Sequence, residues 1–425
     1  MALPLDESPW RNDWAMRSDV AYLNHGSFGP APRLVVQERK RWIDELEAEP
    51  MDFYLRRFEP ELARARARLA GFVGATPDRL CFVDNATFGM NIVAASFELG
   101  PGDEVLATDH EYGAVLRIWR ERCRRSGARL AVARLPLPLQ AADQVVDAIL
   151  CEATPRTRII VVSHVTSPTA AVLPVEAICQ EARRRGIAVC IDGPHAPAAT
   201  PLAIDRLECD FYTASCHKWM CAPFGSGFLY VHPRWHTRLL PVVVSWGNSL
   251  GGREPNWVDE YNWLGTRDPS AFLAVPAAID YLESLAIPEA ASAANASDEV
   301  QQYAADRAAD HRPAEALRGL ALFRQRSHAL AQFARQKLCA RTGLEPMIPD
   351  SEQWYGPMIA LPLPDSVGEP NQNHWHPLQQ EIWQRHHIEV PIVNWHGRRY
   401  VRVSCHMYNT RADIDRLDAA LEELL

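Results

Sequence analysis

Between residues 79 and 232 the chain alternates short apolar, β-rich runs with amphipathic helical stretches, and this alternation constrains the fold more than any other feature. The runs are RLCFVD (79–84), DEVLAT (103–108), RLAVARL (129–135), RIIVVSHV (158–165), AVCIDG (188–193), DFYTAS (210–215) and GFLYVH (227–232). Helical patterns occupy 87–98, 112–126, 140–152 and 175–186. Strands apolar on both faces and separated by helices predict an α/β protein with a mostly parallel seven-stranded sheet, covered on both sides. Ligands of such sheets lie beyond the carboxyl ends of the strands, so polar residues there are the candidates for chemistry.

The remainder of the chain reads differently. Residues 245–270 are rich in Gly, Trp and Asn with little periodicity, as in a long ordered loop. A helix is expected over 271–285, and an Ala-rich, charged excursion over 286–315. Then follow helix 321–341, strand 355–363, helix 376–386, strands near 388–393 and 399–404, and helix 411–424, a smaller α+β unit. The expected division is a large domain over 16–285 and a small C-terminal domain over 286–425 joined by residues 1–15. Mobile loops at 50–60, 245–266 and 390–400 are expected to carry the determinants of substrate choice.

Composition narrows the function. A net charge of −9 disfavours nucleic acid as a partner, and no apolar window is long enough for a membrane span. The arginine clusters at 117–125 and 183–185 fall on helical patterns and read as solvated faces. The N-terminus carries no basic and apolar signal, and the 10 cysteines form no CxxC, so a reducing cytoplasm is the expected compartment. Of the 44 basic side chains only Lys40, Lys218 and Lys337 are lysines. Arginine stays protonated, whereas lysine can lose its proton and attack a carbonyl carbon. Lys40 and Lys337 sit on amphipathic helical patterns; Lys218 does not.

Lys218 lies in Ser215-Cys216-His217-Lys218-Trp219, at the end of a strand and before the turn Gly225-Ser226-Gly227. Asp192-Gly193-Pro194-His195 ends another strand, where the Asp either holds a buried cation or caps a loop. Asn85-Ala86-Thr87 opens a helix after the first strand, which suits a phosphate and equally suits an ordinary N-cap. Tyr112, in Asp109-His110-Glu111-Tyr112, offers an aromatic face to a planar ligand. Together these are handles for pyridoxal 5′-phosphate: a lysine for its aldehyde, an Asp for its ring nitrogen, a helix start for its phosphate and a stacking ring. A nicotinamide Rossmann enzyme fits less well, since no GxGxxG follows a strand, and a His-rich metal site is weaker too, since no HxxxH pair is one that a helix would aim at one ion.

From Tyr22-Leu23-Asn24-His25-Gly26-Ser27-Phe28-Gly29 to Tyr408-Asn409-Thr410 the sequence resembles the fold-type I pyridoxal phosphate enzymes, within them the class V aminotransferase superfamily. It is most similar to the isopenicillin N epimerase-like group, which also holds hercynylcysteine sulfoxide-type C–S lyases. The resemblance implies that Lys218 forms the Schiff base, Asp192 pairs with the pyridine nitrogen, His195 faces the phenolic oxygen and Tyr112 stacks on the ring. It implies that Ala86, Thr87, Ser215 and His217 hold the phosphate, and that Gly265-Thr266 reaches it from a second subunit, hence a homodimer with shared sites. Arg402, in VRVSCHMYNT, would clamp the substrate carboxylate, with Asn24 and His25 closing over the substrate. Catalytic roles fall to Lys218, Tyr112 and His25. Two departures stand out: Ser167 replaces a common Asn, and no Cys lies between Ile388 and Arg402, where desulfurases carry their persulfide loop.

The resemblance implies abstraction of a Cα proton from an amino acid, followed by epimerisation or C–S cleavage. Transamination, and a catalytically silent scaffold with the same fold, are the alternatives. Arg56 and Arg57 read either as a site for a second carboxylate or as surface charge.

Overall fold

The computed structural model describes residues 5–286, 314–368 and 376–425. Its strands, in chain order, are β1 (Ala21–Tyr22), β2 (Leu80–Val83), β3 (Glu104–Thr108), β4 (Arg129–Ala133), β5 (Thr157–Ser163), β6 (Ala188–Asp192), β7 (Phe211–Ser215), β8 (Gly227–Val231), β9 (Met358–Pro362), β10 (Ile388–Glu389), β11 (Ile392–Trp395) and β12 (Arg398–Ser404). The seven expected strands form one sheet in the order β2-β8-β7-β6-β5-β3-β4, with only β8 running antiparallel to its neighbours. Every residue of β2, β3, β6, β7 and β8 is buried, because helices cover both faces. The edge strand β4 exposes Arg129 and Val132. This is the expected fold class.

Parallel register brings the strand ends level. Ser163 pairs with Asp192, and Asp192 with Thr213. Next to Asp192, a Cβ at Gly193 would collide with the Tyr212 ring, so the chain can turn this tightly only with glycine. The helix Ala86–Ser96 starts directly after β2, its N-cap Asn85 accepting from the Phe88 amide at 2.9 Å.

The small sheet is antiparallel, in the order β11-β12-β9, and is backed by the helices Ala314–Thr342, Pro377–His386 and Arg411–Leu424. A capping box of Thr410 and Asp413 starts the last helix. β1 pairs in parallel with β10, and the Ser404 amide donates to the Leu23 carbonyl at 2.9 Å. That pairing threads residues 21–30 between the small sheet and the mouth of the large one.

Two of the expected loops are regular structure. Residues 50–60 are helical, running from Pro50–Asp52 through a π-turn at Phe53–Arg57 into the helix Phe58–Val73, and buried Phe53 and Phe58 anchor them. Residues 390–400 form most of the β11–β12 hairpin. Arg56 pairs with Asp52 at 2.9 Å and Arg57 with Glu45, so both are engaged within this helical surface. Arg124 and Arg125 likewise pair with Glu121, and Arg184 with Glu181. The excursion expected over 286–315 lies almost wholly outside the described residues. Among those described, no helix is long and apolar enough to cross a membrane.

Candidate active site

Three side chains meet at the ends of β6 and β7. Lys218 Nζ lies 2.9 Å from His195 Nε2, and Trp219 Nε1 donates to His195 Nδ1 at 3.3 Å. An indole N–H is a donor only, so Nδ1 accepts, and the proton of a neutral His195 belongs on Nε2. Burial holds His195 neutral, well below the usual imidazole range. Its Nε2–H therefore faces Lys218 Nζ, which can accept only as an uncharged amine. The electrostatics agree: burial, then the charge of Arg402, push the Lys218 ammonium down, against a smaller opposing pull from Asp192. Asp192 is 4% exposed, its carboxyl pushed up by burial, and it accepts from Thr213 Oγ1 at 3.3 Å. Nucleophile, buried acid and hydrogen-bond donor thus come from two adjacent strand ends.

Next to them is a set of anion-binding groups. The Ala86 amide donates to Ser215 Oγ at 3.0 Å, which leaves the Ser215 hydroxyl proton free to reach a ligand. Thr87 is exposed in the first turn of its helix, where the macrodipole favours negative charge. His217 is held neutral, down to about 4, by burial and then by Lys218, and its Nδ1 is buried with no hydrogen-bond partner among the described residues. Thr266 is exposed on a loop anchored by the pairing of Arg267 with Asp84 at 2.9 Å.

Arg402 comes from β12 and is 6% exposed. Its Nη1 donates to the Ser167 carbonyl at 2.6 Å and to Ser167 Oγ at 3.2 Å, and its Nη2 to Ser27 Oγ at 2.6 Å. All these acceptors are neutral, Nε is buried without a partner, and no carboxylate among the described residues pairs with the guanidinium. Burial lowers its pKa to about 10. A buried cation held only by neutral oxygens is a strong attractor for a ligand carboxylate. Tyr112 is exposed beside it, close enough for the phenol to influence the Arg402 charge.

Asn24 and His25 are placed otherwise. His25 is fully buried, with Nδ1 2.9 Å from Tyr408 Oη and Nε2 3.0 Å from the Lys218 carbonyl, and it stacks on His406 at 4.1 Å. Both nitrogens are engaged, so it braces the Lys218 turn and presents no proton to the opening. Asn24 Nδ2 donates to Glu389 Oε1 at 3.3 Å, while its Oδ1 is buried and unpartnered. Ser27, Ser167 and Trp219 are site residues whose roles the sequence left unassigned. Glu111 is another: fully buried, it accepts from Thr108 Oγ1 at 2.7 Å and from Ser163 Oγ at 2.5 Å. Burial, aided by Asp192, pushes its carboxyl up to about 7 despite those bonds.

The donor set fits pyridoxal phosphate. A weakly basic amine for its aldehyde, a buried carboxyl for its ring nitrogen and the unpartnered His217 Nδ1 with the Ala86–Thr87 turn for its phosphate come from neighbouring strand and helix ends. The cysteines do not fit a thiol relay there: Cys405, beyond Arg402, is fully buried and its thiol pushed well up by burial.

Comparison with known proteins agrees with this chemistry. The family described as aminotransferase class-V matches residues 30–311. Isopenicillin N epimerase of Amycolatopsis lactamdurans is 37% identical over 423 residues, 95% of each chain. A putative L-cysteine desulfhydrase of Oryza sativa subsp. japonica is 28% identical over 442 residues, 96% of this chain and 83% of that one. Among solved structures, a C-DES mutant with glycine covalently linked to its pyridoxal phosphate cofactor matches with a TM-score of 0.73 at 20% identity, over 97% of this chain and 99% of that one. At that identity the likeness establishes the fold alone.

Proposed function

Because the chain belongs to the aminotransferase class-V family, we propose that it is a pyridoxal-phosphate-dependent amino-acid epimerase, inverting a substrate at its α-carbon. Pyridoxal phosphate, when bound, supplies an aldehyde that joins amines and a conjugated ring that stabilises negative charge at the α-carbon. Lys218 would hold it covalently, Asp192 would keep a proton on the ring nitrogen, and His195 Nε2–H would donate to the phenolic oxygen. Ser215, His217, Thr87 and the Ala86 turn would hold the phosphate, joined by the exposed Thr266 of a second subunit. Arg402 would fix the substrate carboxylate through its two Nη groups.

Once the substrate amine has taken its place, Lys218 is the base for the α-proton on one face. Tyr112, exposed beside Arg402, is the candidate acid for the other face. The observation that carries this reading is Lys218 itself: an amine facing an imidazole N–H, with its ammonium pushed down to about 7 by burial and then by Arg402. A silent scaffold gains nothing from such an amine or from an unpaired buried guanidinium, both of which oppose folding.

The relative named as a desulfhydrase favours a second reading, C–S cleavage, in which the proton acid serves a departing sulfur group. The two readings separate when a panel of amino acids is incubated with the enzyme in deuterated water. Deuterium at Cα with inversion is the expected result, pyruvate release would favour the lyase, and stoichiometric keto acid would contradict both.

A homodimer belongs to the proposal. Leu240, Val242, Val243, Val244 and Trp246 form an exposed apolar run, with Val244 83% exposed, which a second copy would cover. Sedimentation at twice the protomer mass is expected.

A further inference from the structure

Beside the site lies a cavity of about 320 Å³, walled mainly by Met16, Tyr22, Phe28, Phe224 and Trp383, with Arg17 and Glu389 as its charged lining residues. It shares walls with the site on two sides. Phe28 directly follows Ser27, whose hydroxyl takes Arg402 Nη2 at 2.6 Å, and the Phe224 ring lies 5.5 Å from that of His217. Phe28 is 65% exposed and Phe224 50%, although the chain holds the Phe28 backbone in place through a 2.6 Å hydrogen bond from Tyr22 Oη to its carbonyl. Exposed rings on a fixed wall, beside a buried cation that lacks an anion, mark a place where a ligand supplies the missing cover.

Resting on the epimerase reading above, we propose that this cavity receives the side chain of the amino-acid substrate while Arg402 holds its carboxylate. The substrates it selects are α-amino acids with long, predominantly apolar side chains. At the ~30 Å³ that one water molecule takes up, the cavity has room for roughly ten non-hydrogen atoms. A short polar side chain such as that of cysteine leaves most of this volume unfilled and the rings of Phe28, Phe224 and Trp383 wet. Glu389, held by Asn24 at 3.3 Å, and Arg17, paired with Asp19, put one charge of each sign at the wall, so the apolar rings set the preference.

The test uses the holoenzyme and the unbranched series from alanine to 2-aminooctanoate, reading KM for Cα deuterium exchange. Burial of each added methylene predicts a fall in KM of about fourfold until the cavity is full. Met16→Trp, which fills the cavity, should flatten the series. Phe28→Ser, at an exposed position, should reduce the dependence without threatening the fold. A wild-type series with no dependence on length overturns the proposal and leaves the epimerase reading standing. A steep series that neither variant alters overturns the placement in this cavity. Exchange with no amino acid at all overturns the underlying reading and the proposal with it.

Discussion

Lys218 and Lys337 are the same residue in opposite surroundings. Lys337, on the helix Ala314–Thr342, extends from the surface to Asp415 at 2.6 Å and Asp418 at 3.6 Å on the C-terminal helix. The hydrogen bond and charge of Asp415 hold its proton more firmly than usual. Lys218, at the mouth of the large sheet, has an imidazole N–H in place of a carboxylate, an arginine within electrostatic range and little water, and its proton is held more loosely. One region spends its charges on solvated pairs, which add little to stability. The other strips water from a charge and leaves a nucleophile. Placement, rather than residue type, separates a surface cation from a reactive amine.

That contrast breaks or sharpens through substitution. The largest effect is expected from Lys218→Ala: no covalent cofactor, and Cα exchange slowed by about 10²–10⁴-fold as the base is lost. Retention of near-normal exchange would move the base elsewhere. Next is Arg402→Ala, which removes one partner of a desolvated charge pair and should weaken substrate binding by about 2–5 kcal/mol, read as a raised KM. Arg402→Lys should not restore it, because Ser27 and Ser167 are placed for a planar fork. An unchanged KM in Arg402→Ala would assign the carboxylate to another group.

A smaller effect concerns Glu111. The folded protein keeps this proton up to about pH 7, whereas an unfolded chain releases it near the ordinary carboxylate value of 4.5. Folding stability from this group is therefore complete below about 4.5 and declines as pH rises through about 7. Glu111→Gln cannot ionise, so its thermal midpoint should decline less than that of the parent across this window; parallel curves would show that the carboxyl is already ionised in the fold. Smallest of all is Lys337→Ala, expected to leave exchange and cofactor attachment unchanged and to move the thermal midpoint little. A loss of attachment there would erase the contrast between the two lysines.

Much of the large sheet was legible in the sequence because its strands are largely apolar and the first five are separated by helices, so all seven strands lie within about two residues of their expected ends. The meeting of Lys218, Asp192 and His195 was legible as a placement for the same reason: Asp192 ends β6, and His195 and Lys218 lie three residues beyond the ends of β6 and β7. What depends on distant segments was not. Arg402 meets Ser27 and Ser167 from three separate parts of the chain, and no local pattern records the meeting. His25 reads as an active-site loop residue until Tyr408 and the Lys218 carbonyl occupy both its nitrogens. The helix from Phe58 was hidden behind Pro50 and the π-turn at Phe53–Arg57, which break the regular spacing.

The central claim is that the fold reserves one of three lysines for covalent chemistry. Incubating the protein with pyridoxal phosphate at neutral pH, reducing with borohydride and mapping the labelled peptides tests it most directly. The account predicts the label on Lys218 alone; label on Lys40 or Lys337, or on no lysine, would contradict it.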